Sequence, residues 1–172
     1  MCAFEGSTVA TTLITAVTIN LGVTLMEERR TSISSSPMKT VPMLKDVPKP
    51  LGPYSHVVVA NDFIFIAGQA PRKPSDQPGK WAGTTITDQT QQCLRNIETI
   101  LKGLGGTLSD AVKVTVYLAD PSLYNKMNEA YGEFFTSEPP ARSVARLGAE
   151  VTGLLVTIDA IAVHSKTANP EK

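Results

Sequence analysis

Hydrophobic and polar positions near the middle of the chain form two short β-rich runs. Residues 57–60 (Val-Val-Val-Ala) and 63–67 (Phe-Ile-Phe-Ile-Ala) are separated by Asn61-Asp62, a pair that tolerates left-handed backbone and so predicts a hairpin turn. Residues 72–83 hold Pro74, Pro78, Gly79 and Gly83 and predict a loop. Leu94, Ile97, Leu101 and Leu104 then recur at helical spacing. Thr87 is the expected cap of this helix, and Gly105-Gly106 its stop. Val112, Val114, Val116 and Leu118 alternate with Lys113, Thr115 and Tyr117, the pattern of a half-buried strand. Asp120-Pro121 opens a second helix with Leu123, Met127, Ala130, Tyr131 and Phe134 on one stripe. Strands over residues 141–147 and 154–163 close the chain. The predicted order is β-β-α-β-α-β-β, an α+β domain.

The last strand separates its faces sharply. Leu154, Val156, Ile158, Ala160 and Ala162 are wholly apolar and suited to lie under the helices. Leu155, Thr157, Asp159, Ile161 and Val163 point the other way. A polar pair amid apolar neighbours fits a subunit interface or ligand cleft, and fits equally an ordinary solvated face.

Composition narrows the field. With 172 residues, 42% of them hydrophobic and 19% charged, the chain is long enough to bury a real core. Sixteen basic residues balance sixteen acidic ones, so no global field favours nucleic acid or an acidic membrane. Cys2 and Cys93 are too few and too far apart for a disulfide framework or a paired-cysteine metal site. They fit a reducing compartment, expected to be the cytoplasm with the mitochondrion as the alternative. His56 and His164 add no recognisable metal cluster, so no metal is expected.

Residues 6–26 carry no charge, yet Thr8, Thr11, Thr12, Thr15, Thr18, Asn20 and Thr24 interrupt the stretch. Little continuous apolar surface remains for lipid, and no membrane association is expected. Residues 1–37 therefore divide off as a poorly packed appendage, residues 38–166 as the domain, and residues 167–172 as a tail.

One segment points to chemistry. Pro140-Ala141-Arg142-Ser143 leads into a strand-like run. A guanidinium fork on a proline-restrained backbone is suited to gripping a planar carboxylate.

In order along the chain stand Gly52-Pro53-Tyr54-Ser55, Ala67-Gly68-Gln69, Gln89-Thr90-Gln91 with Asn96, and Val114-Thr115-Val116-Tyr117-Leu118. Asn128 with Tyr131 and Phe134-Phe135, Pro140-Ala141-Arg142-Ser143, and Ile158-Asp159-Ala160-Ile161-Ala162 complete the series. Each motif is weak alone, but seven in this order are specific. The series, over roughly residues 39–166, resembles the Rid family of RidA/YjgF-like reactive intermediate deaminases.

The resemblance implies a chorismate-mutase-like fold, a mixed sheet with two helices on one face. It also implies a homotrimer whose sheets close into a barrel-like assembly with ligand clefts at the interfaces. The reaction implied is hydrolysis of 2-imino or 2-enamino acids to 2-keto acids and ammonia, with no cofactor. Arg142 is expected to hold the substrate carboxylate, with Gly68 backbone, Tyr54 and Asn128 completing the substrate site. This sequence departs from the family pattern at Ala67, at Val144 and above all at Thr157, where the family has a water-orienting glutamate. A threonine hydroxyl holds water but takes no proton at neutral pH. His56, Thr157 and Asp159 are the candidate catalytic residues, with Asp159 roughly 7 Å along the same strand face from Thr157. Alternative readings are a diverged member that tailors an enamine or enol intermediate in a specialised (secondary-metabolite) pathway, or one that binds small carboxylates. An endoribonuclease is disfavoured, because no basic strip with stacked aromatics is present for RNA.

Overall fold

The computed structural model describes residues 39–148 and 150–164; the expectations for residues 1–37 and 167–172 lie outside them. The elements run β1 (Lys39–Thr40), β2 (Val57–Ala60), β3 (Phe63–Gln69), α1 (Ile86–Gly103), β4 (Ala111–Leu118), α2 (Tyr124–Gly132), β5 (Ala141–Arg146) and β6 (Val156–Val163). The two-residue β1, which pairs antiparallel with β2, has no hydrophobic pattern and was not foreseen. The six strands form one mixed sheet in the order β1-β2-β3-β6-β4-β5. Only β4 and β5 pair in parallel; the other neighbours are antiparallel.

The expected hairpin forms with Asn61 in the left-handed region, φ 53°, and Val57 to Ala60 face Ile66 to Phe63 in register. Helix α1 starts earlier than the expected Thr87 cap. Thr85 is the cap, because its Oγ1 accepts from the Asp88 backbone N–H at 3.1 Å, which satisfies a first-turn donor. At the other end Gly105 adopts φ 80°. The Gly105 and Gly106 N–H groups donate to the Lys102 and Leu101 carbonyls, a Schellman-type stop. The expected second helix also divides. Pro121–Leu123 is a separate 3₁₀ turn capped by Asp120, and α2 begins at Tyr124.

Both α-helices lie against one sheet face. Leu94, Ile97, Ile100 and Leu101 of α1 pack with Ile64, Ile66, Val114, Val116, Val156 and Ile158, all at most 3% exposed. Leu154, Val156, Ile158, Ala160 and Ala162 are buried as their alternation required. Buried polar groups fasten these layers. Gln89 donates to the Gly153 carbonyl at 2.7 Å and accepts from the Leu155 N–H at 2.9 Å. Asn96 donates to the Ala70 and Arg72 carbonyls.

One residue of β4 breaks the expected alternation. Ala111 and Val114 are buried, whereas Val112 is 42% exposed. The ladder to β6 shifts register between Ala111 and Lys113, so a bulge at Val112 lifts it off the buried face. Val112→Thr should therefore change stability by less than about 0.5 kcal/mol. Val114→Ala should cost about 2–3 kcal/mol through lost burial and the cavity left behind. Chemical denaturation measures both, and equal losses would contradict the bulge.

Candidate functional site

Arg142 lies on β5, the sheet edge, opposite Val114 of β4. Because Val114 is buried beneath the helices, this register places the Arg142 side chain on the helix-bearing side. There α2 presents Tyr124, Asn128 and Tyr131 at helical spacing on one stripe. The Arg142 Nη2 donates to Asn128 Oδ1 at 2.7 Å and to the Tyr124 hydroxyl at 3.3 Å. Its guanidinium carbon sits 4.5 Å from the Tyr131 ring centroid and 5.9 Å from that of Tyr124. Tyr131 in turn stacks on Phe135 at 4.6 Å. Burial pushes the Tyr131 hydroxyl up to about 12, against the opposing pull of Arg142. Tyr131 is thus a neutral aromatic floor under a cation. Arg142 and Asn128, both expected at the site, are brought together; Tyr124 was not foreseen, although its i, i+4, i+7 relation to Asn128 and Tyr131 was a usable signal.

Tyr54, His56 and Gly68 form a second group across the sheet, around β2 and β3. Tyr54 and His56 meet edge to face at 6.1 Å. With Gly68, Gln69 and Arg72 they line a cavity of about 10 Å³, the size of one water. Arg72 is buried and donates to the Lys49 and Asp76 carbonyls. Gln69 Nε2 donates to the Ala67 carbonyl at 2.8 Å and lies 3.5 Å from His56 Nδ1. The Gln69 amide thus lies beside Nδ1, and the other ring nitrogen, Nε2, is buried.

Thr157 and Asp159 lie on the helix-free face of β6, opposite Tyr117 and Thr115 respectively. Asp159 Oδ2 accepts from the Tyr117 hydroxyl at 2.9 Å, and this bond, more than burial, raises the Tyr117 pKa. A single chain thus distributes the predicted site. Arg142 and Asn128 lie on one side of the sheet, Thr157 and Asp159 on the other. Three strand spacings, about 14 Å, separate β5 from β3. A separate hollow of about 630 Å³ beside Arg146, Leu147, Glu150, Val151 and Leu154 contains none of these residues. Among the described residues no cluster of three or more His, Cys, Asp or Glu is placed to hold a metal, and no helix is long and apolar enough to cross a membrane.

The state of His56 has a measurable consequence. Burial lowers its pKa below the ordinary 6.5, opposed by the Pro48 carbonyl and assisted by the Arg72 cation. Below about pH 6.5 the unfolded chain binds a proton that the folded chain resists, so stability falls as pH falls. Melting temperature should drop more steeply between about pH 7 and pH 5 in wild type than in His56→Gln. Parallel curves would show that His56 is equally easily protonated in both states.

The chain matches the model of the Endoribonuclease L-PSP family over residues 44–164. It is 44% identical over 125 residues to a RutC family protein of Pyrococcus horikoshii, covering 73% of this chain and 98% of that protein. It is 34% identical over 130 residues to human 2-iminobutanoate/2-iminopropanoate deaminase, covering 76% and 93%. The crystal structure of a Rid family protein from Yersinia pestis superposes with a TM-score of 0.67 at 32% identity, covering 73% of this chain and 99% of that one. With these matches and the shared α+β fold, the chain belongs to the Endoribonuclease L-PSP family, the YjgF/RidA or Rid proteins.

Proposed function

We propose that the protein is a Rid-type hydrolase that converts 2-imino or 2-enamino acids to 2-keto acids and ammonia in clefts between copies of a homotrimer. The observation that carries this reading is the seating of Arg142. A guanidinium fixed by the Asn128 side-chain carbonyl and the Tyr131 ring is oriented before any substrate arrives, which suits a carboxylate clamp. The name of the human relative, a 2-iminobutanoate/2-iminopropanoate deaminase, supports the substrate class.

The distribution of the other residues supports the assembly. A cleft where β5 of one copy meets the helix-free sheet face of another unites Arg142 with Asp159. The apolar side chains Phe63 and Phe65, 46% and 43% exposed, gain cover in such an assembly. The imine carbon is already electrophilic, so the protein must orient a water and accept its proton. We assign the proton to Asp159, a carboxylate oriented by Tyr117, with the Thr157 hydroxyl helping to hold the water. His56 suits this step less well, since Nδ1 faces Gln69 and Nε2 is buried.

A second reading, a member that binds small carboxylates or tailors an enamine without releasing ammonia, draws on Thr157, whose side chain takes no proton at neutral pH. Release of ammonia and keto acid from 2-iminobutyrate generated in situ distinguishes the two. Wild type should turn over, and Arg142→Lys, which keeps charge but loses the fork, should lower kcat/KM by about 10–100-fold, or about 1.4–2.7 kcal/mol. Equal rates would remove Arg142 from the clamp. No ammonia release, with 2-ketobutyrate still bound, would establish the second reading.

A further inference from the structure

Arginine presents a carboxylate with one of two forks, Nε with one terminal nitrogen or the two terminal nitrogens together. One terminal nitrogen belongs to both forks, and in Arg142 it is Nη2. That nitrogen donates to Asn128 Oδ1 at 2.7 Å and to the Tyr124 hydroxyl at 3.3 Å. Its two N–H groups therefore meet two acceptors before a ligand binds. The bond to Asn128 is short, and it orients the guanidinium. The longer bond to Tyr124 is the one a ligand oxygen can replace.

The two tyrosines beside Arg142 differ in what they offer. The Tyr131 hydroxyl is buried and Tyr131 lies under the guanidinium as its floor. Tyr124 is 42% exposed. Its oxygen accepts from Arg142, and a phenol that accepts one hydrogen bond keeps its own O–H to donate. We propose that Tyr124 is a further ligand-binding residue of the clamp. A carboxylate oxygen takes the place of the Tyr124 oxygen on Nη2, and the Tyr124 O–H turns to donate to that carboxylate. The hydroxyl thereby favours an anionic, acceptor-only head group over a neutral amide. This deepens the proposed function and rests on its assignment of Arg142 to the substrate carboxylate.

Calorimetry with 2-ketobutyrate and its neutral amide, 2-oxobutanamide, tests the proposal on wild type, Tyr124→Phe and Arg142→Lys. Tyr124→Phe should raise the Kd for 2-ketobutyrate about tenfold and that for the amide by less than about twofold, since a bond to a charged group outweighs one to a neutral group. A merely structural disturbance would weaken both ligands alike. Equal loss for both ligands, or no loss for the keto acid, overturns the role of Tyr124. If Arg142→Lys still weakens 2-ketobutyrate in that case, the clamp stands and only this inference falls. If neither variant weakens it, the clamp reading falls as well.

Discussion

Side chains on a strand alternate between faces, so the register that buries Val114 of β4 beneath the helices also delivers Arg142 of β5 to the side of α2. The same alternation sends Thr157 and Asp159 of β6 to the opposite face. Apolar burial determines which face takes the helices, and the polar residues follow. Slipping β5 by one residue would turn Arg142 away from Asn128 and Tyr131 and dismantle the proposed clamp without changing a single side chain.

The Arg142 cluster is ordered by local contacts of different kinds. A charge-assisted bond to Asn128 sets the direction of the guanidinium, and the Tyr131 ring supports its face with a cation–π contact of about 0.5–2 kcal/mol. Phe135 stacks on Tyr131 and limits its tilt. Other polar residues hold the scaffold around this arrangement. Gln89 bridges α1 to the segment before β6, and Asn96 secures the chain beyond β3 through two carbonyls. Part of the motif series that marks the family thus serves packing rather than chemistry.

Elements whose apolar pattern repeated were legible in the sequence. The Asn61-Asp62 hairpin, α1 and β6 follow directly from turn chemistry and hydrophobic period. What escaped was local geometry. The cap of α1 is Thr85 because its hydroxyl reaches the Asp88 N–H, a choice that three nearby threonines (Thr84, Thr85 and Thr87) leave ambiguous. Val112 left the buried face through a bulge, which periodicity cannot signal. Around Arg142, the neighbour Asn128 was legible from motifs, but Tyr124 matched no motif and is marked only by its contact with Arg142. The separation of Arg142 from Asp159 was hidden for another reason. A sequence shows which face each residue takes within its own strand, and pairing with neighbours is needed to relate one strand's faces to another's.

Subunit mixing tests most directly whether the site is shared between copies. Arg142→Ala and Asp159→Asn, each expected to be inactive alone, are denatured together, refolded and assayed for ammonia release from 2-iminobutyrate. If each cleft takes Arg142 from one copy and Asp159 from another, random assortment restores about a quarter of the clefts and activity returns. If both residues serve a cleft from the same chain, no intact site can form. A mixture as inactive as its components would contradict the shared site.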